Sequence, residues 1–176
     1  MVIIGYHTLE DRGNPDEILK DGPQKCNRQD AWFGHGYYFW DTEIKWAHRW
    51  SKIPYMIFEA SIVIDENTFD LLGNVQHCKD FEDSAKLLND RLKKSNKRIA
   101  TAPEIIEYMK RHTSFPYNSI RGYDEPKPER YFFRNQSQES FYLNKRVQVC
   151  LIDKTNLLLQ TFMIVYPEKY KNKLNK

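Results

Sequence analysis

The stretch Phe33-Gly34-His35-Gly36-Tyr37-Tyr38-Phe39-Trp40-Asp41 decides how this chain is read. Two glycines bracketing one residue permit a sharp turn or a close backbone approach to a ligand. The aromatic run behind them has strand character, and its side chains alternate between two faces, so half of them are bound for the core. Asp41 or Thr42 is placed to cap a following helix on which Ala47 and Trp50 lie one turn apart, returning an indole towards the glycines. The expected product is a pocket for a flat aromatic ligand.

Outward from this run, Val2 to Thr8 reads as a strand. Asn14-Pro15-Asp16-Glu17 opens a short helix, with proline in the first turn and acids at its positive end, and Gly22 closes it. The span from Trp32 to Trp40 contains the second strand, and Thr42 to Ser51 reads as a helix. Tyr55 to Ile64 follows as a longer strand, with a small one at Phe69-Asp70-Leu71-Leu72. The middle of the chain is helical. Phe81 to Lys94 carries Ala85, Leu88 and Leu92 on one side, and Thr101-Ala102-Pro103-Glu104 forms a capping box for a helix reaching about His112. Tyr117 to Gly122 reads as a strand and Tyr123 to Gln138 as a polar loop with Pro126 and Pro128. Two closing strands, Arg146 to Asp153 and Leu157 to Tyr166, have spacing compatible with a hairpin. Strands at both ends around a helical middle predict an α+β domain over residues 1–168, with a basic flexible tail over 169–176.

The 176 residues, 40% hydrophobic and 14% aromatic, suffice for one globular domain with a real core. The absence of a long apolar run argues against a membrane partner, and Met1-Val2-Ile3-Ile4 lacks the basic flank of a signal peptide, so a cytoplasmic protein is expected. Cys26, Cys78 and Cys150 are odd in number and scattered, and His35, His48 and His77 have no partners at zinc spacing, so neither a disulfide framework nor a metal is predicted. The net charge of +3 and the basic run from Leu92 to Arg98 permit phosphate contacts without requiring them. There is no Gly-x-Ser-x-Gly elbow or Walker loop, and Gly34-x-Gly36 lacks the third glycine of a dinucleotide fingerprint.

Phe33-Gly34-His35-Gly36-Tyr37-Tyr38-Phe39 resembles the FGxGxYF motif of poly(ADP-ribose) polymerases and bacterial ADP-ribosyltransferase-like domains. Gly5-Tyr6-His7-Thr8 is similar to their Tyr-His-Gly-Thr segment, with threonine where glycine is common. Gln138-Glu139 before Arg146-Val147-Gln148-Val149-Cys150 resembles the glutamate-bearing loop and the strand after it. The resemblance spans nearly the whole chain and implies the His-Tyr-Glu type of the ADP-ribosyltransferase superfamily. The implied fold is a split β-sheet core with flanking helices and a helical insert.

This resemblance implies cleavage of the nicotinamide-ribose bond of NAD, used as a substrate, and transfer of ADP-ribose to a protein or nucleic-acid acceptor. His7 would hydrogen-bond a ribose hydroxyl, Thr8 and Gly36 would bring backbone to the nicotinamide, Tyr38 would stack on its ring, and Trp50, ahead of Trp46, would supply a second face. Glu139 would stabilise the developing oxocarbenium ion, with Glu125 as the alternative acid, and Gln136 or Gln138 would face the acceptor. A bacterial or phage toxin or defence role follows, with an inhibitor protein as partner. An NAD glycohydrolase of the same fold and an inactive module that binds a nucleotide or a partner are the alternatives. On residue type alone, His7 reads as a hydrogen-bonded structural histidine, Trp46 and Trp50 read as core, and Glu139 and Glu125 read as solvated loop acids.

Overall fold

The computed structural model of the protein describes residues 1–52, 54–124, 129–132, 140–143 and 145–171. They form an α+β fold around a seven-stranded mixed sheet. The chain begins with β1 (Val2–Glu10) and α1 (Pro15–Asp21), then β2 (Tyr37–Asp41), α2 (Ile44–Trp50), β3 (Tyr55–Val63) and β4 (Thr68–Asp70). Two helices follow, α3 (Val75–Lys94) and α4 (Ala102–His112). After it come β5 (Ser119–Asp124), β6 (Glu129–Phe132), β7 (Ser140–Leu143), β8 (Arg146–Leu151), β9 (Leu157–Tyr166) and α5 (Glu168–Lys171). The sheet order is β4-β5-β8-β2-β1-β3-β9, with β4 and β5 parallel and the other neighbours antiparallel. Among the described residues, no helix is long and apolar enough to cross a membrane.

The central strands are covered on both faces. In β8, Val149 and Leu151 join one core with Phe39, Phe58, Ile62 and Ile164. Cys150 between them joins a second core with Phe69, Ile106 and Ile120. α4 covers that second core, burying Ile105, Ile106 and Met109 along one stripe. Its start is fixed by Glu104, whose carboxylate accepts from the Thr101 N–H at 2.8 Å and the Thr101 hydroxyl at 2.9 Å, and pairs with Arg98. These contacts, led by Arg98, bring the Glu104 carboxyl down to about 2.

β1 is paired unequally on its two sides. Against β3 it runs in register from Val2↔Val63 to Glu10↔Tyr55, whereas its pairs with β2 are Gly5↔Asp41 and Tyr6↔Trp40. Gly5 lets the strands approach there, because a Cβ would collide with Ile62 and lie 3.0 Å from Phe39 Cβ. Beyond Tyr6 the β1–β2 ladder opens.

Several expectations are corrected. β8 and β9 form no hairpin: β8 pairs with β2 and β5, and β9 pairs with β3 at the far edge. Asp41 caps nothing and instead lies buried against Arg121, with Nε–Oδ2 2.8 Å, while Glu43 caps α2 by accepting from the Lys45 N–H. α3 starts at Val75, capped by Asn74 Oδ1, which accepts from the N–H groups of Gln76 and His77. The stretch from Tyr123 to Gln138 contains β6, paired to β7. Residues 169–171, expected to begin the tail, belong to α5, where buried Tyr170 donates its hydroxyl to Asp11 at 2.9 Å.

Candidate functional site

Where β1 and β2 part, the His7 ring crosses the opening. Its Nδ1 donates to the Tyr38 carbonyl at 2.8 Å, and its Nε2 accepts from the Gln24 N–H at 3.3 Å. Both contacts fit the neutral ring with the proton on Nδ1. Burial lowers the imidazole to about 4, so the ring is uncharged at neutral pH.

Tyr38 organises the glycine turn through its hydroxyl, which accepts from the Phe33 N–H at 2.8 Å and donates to the Gly34 carbonyl at 2.7 Å. Gly34 has φ +87°, in the left-handed region that glycine occupies without strain. Burial raises the Tyr38 phenol, which keeps its donor proton. Gly36 exchanges backbone hydrogen bonds with Cys26, at 2.8 and 3.1 Å. A methyl group at Gly36 would collide with Cys150 Sγ and sit 2.6 Å from the Leu151 carbonyl oxygen. The second glycine therefore permits close packing of the turn on β8, and it is not among the residues lining the cavity described next.

These elements enclose a cavity of about 290 Å³, just below the usual size of small-ligand sites. His7, Thr8, Tyr38 and Trp50, four of the residues expected to hold a flat ligand, line it together. Trp32 and Trp40 complete the aromatic walls. Trp40 meets Trp50 at 5.6 Å and Trp32 at 6.2 Å between ring centroids, edge to face in both pairs. Trp50 stands at the rim, 49% exposed, while Trp46 is buried beneath α2 with Ala47 and Ile57 and belongs to the core. The Thr8 hydroxyl donates to the Ala47 carbonyl at 3.1 Å, tethering β1 to α2.

The walls also carry charge, with Lys25, Arg28 and Asp30 among the lining residues. Asp30 is the acidic residue among those lining the cavity; it pairs with Arg28 at 2.6 Å, and that bond holds its carboxyl below the usual range. Arg28 also lies 5.9 Å from the Trp50 ring centroid. The acid candidates Glu139 and Glu125, and the acceptor-facing candidates Gln136 and Gln138, lie outside the described residues. Among the described residues, no group of three or more His, Cys, Asp or Glu is arranged to hold a metal ion.

No family model, curated protein or solved structure matches the chain. The cavity's chemistry therefore rests on its own residues.

Trp32, Trp40 and Gln148 line the cavity without having been singled out as site residues in the sequence. Trp40 was visible as part of the aromatic run, and the i, i+2 spacing of Tyr38 and Trp40 places both on one face of β2. Trp32 and Gln148 had no local signal. Gln148 reaches the cavity only because β8 pairs with β2, opposite Trp40.

Proposed function

We propose that the protein is an NAD-dependent ADP-ribosyltransferase of the His-Tyr-Glu type, with NAD as substrate and a protein or nucleic acid as acceptor. One observation carries the reading: His7, Thr8, Tyr38 and Trp50, from three separate elements, line a single aromatic cavity where β1 and β2 part. The opening of the ladder beyond Tyr6 supports the split-sheet core that this family implies. Tyr38 and the tryptophans offer flat faces to the nicotinamide ring. His7 Nε2 is an acceptor, and a ribose hydroxyl would take the place of the Gln24 N–H on it. Glu139, with Glu125 as alternative, would stabilise the oxocarbenium ion as nicotinamide departs, a role for which Asp30, already paired with Arg28, is less suited. A toxin or defence effector acting in the cytoplasm, restrained by an inhibitor protein, is the role that goes with this activity.

A second reading is favoured by the occupancy of His7, both of whose ring nitrogens are satisfied by backbone. A closed histidine suits a module that binds a nucleotide or a partner without turnover. Incubation with NAD labelled in the adenylate separates the readings. Label on protein or nucleic acid supports transfer, free ADP-ribose with nicotinamide supports the glycohydrolase alternative, and intact NAD retained by the protein supports the binding module.

A further inference from the structure

Gln148 is only 4% exposed and lines the cavity, and among the described residues no side-chain hydrogen bond is made to its amide. Lining the cavity, the amide keeps its hydrogen-bonding edges for whatever enters there. Its backbone is fixed on both sides, opposite Trp40 in β2 and Gly122 in β5. Directly opposed residues share a face, so the amide stands beside the Trp40 indole, while on its other side the Phe33 ring fills the space above Gly122. A carboxamide presents one donor edge and one acceptor edge in a single plane. The complementary guest is a flat ring bearing a primary carboxamide, which returns both hydrogen bonds.

We infer that Gln148 reads the carboxamide of the nicotinamide ring, accepting from its NH2 and donating to its carbonyl, and so selects nicotinamide over nicotinate. This rests on the proposed function and adds the residue that sets its ligand specificity. A nicotinate carboxylate has no donor, and it would leave the Gln148 carbonyl unpaired against a negative charge. The adenine edge offers an adjacent donor and acceptor of the same kind, so binding of AMP tests whether the amide reads that group instead.

The test is calorimetric binding of NAD, nicotinamide, nicotinate and AMP to the intact protein and to Gln148→Leu and Gln148→Glu, with thermal unfolding as a check of the fold. The native protein should bind nicotinamide about tenfold more tightly than nicotinate. In Gln148→Leu this preference should collapse towards parity through loss of nicotinamide affinity. Gln148→Glu, which keeps shape and acceptor but loses the donor, should bind nicotinamide with an intermediate loss. If folded variants keep the native preference, or the loss falls on AMP, the inference is overturned while the functional reading stands. If none of the four ligands binds the native protein, the functional reading fails and the inference falls with it.

Discussion

His7 Nδ1 donates to the Tyr38 carbonyl across the gap where β1 and β2 separate, 2.8 Å apart and 31 residues apart in sequence. The bond joins the two motifs from which a nicotinamide site was expected, and it does so with a neutral ring. A histidine folded into this role has consequences for stability as well as binding.

The unfolded chain takes up a proton on His7 as pH falls through 6.5, whereas the folded protein resists until about 4. The unfolded state binds more protons in that window, so stability falls with pH, by about 3 kcal/mol in all. Urea denaturation from pH 7 to 4 should record this loss, and His7→Asn, which keeps a donor near the Nδ1 position, should remove it from the profile. An unchanged pH slope in the variant would refute the buried neutral ring.

Tyr38→Phe leaves the ring but strands the Phe33 N–H and the Gly34 carbonyl. The expected cost is about 1–3 kcal/mol of stability. If the ring is the stacking surface, NAD affinity should fall further in Tyr38→Ala than in Tyr38→Phe, as read by thermal unfolding and calorimetry on the same samples.

Arg121→Gln should be among the most damaging substitutions. Asp41 would keep a buried charge without its cation, since the Arg121 and Asp41 side chains are only 14% and 5% exposed and 2.7 Å apart. Removing one partner of such a pair costs about 3–5 kcal/mol. Arg121→Gln combined with Asp41→Asn should cost less than the sum of the single changes, which a double-mutant cycle measures.

Much of this architecture was legible before the fold. The helix at Thr101 announced itself through its capping box, and β3 and β9 through β-branched and aromatic runs, because their determinants are local. His7, Thr8, Tyr38 and Trp50, which the family resemblance implied would share a site, line one cavity. The failures share one cause. Asp41 has the composition of a cap, but Arg121, 80 residues on, claims its carboxylate; β8 has hairpin spacing to β9, but β2 and β5 claim its edges. Gln148 is a site residue through sheet order alone, which no window of sequence reports.

Glu139→Gln should lower nicotinamide release by orders of magnitude while leaving thermal unfolding and NAD affinity close to native, because it removes charge without changing volume. Full release in this variant would move the acid's role to Glu125, tested by the corresponding Glu125→Gln.

The claim that the cavity holds NAD is met most directly by titrating the purified protein with NAD while following tryptophan fluorescence, since Trp32, Trp40 and Trp50 line it. The predicted result is saturable quenching whose midpoint shifts about tenfold in Trp50→Ala. A signal unmoved by NAD, or a midpoint indifferent to Trp50, would contradict it.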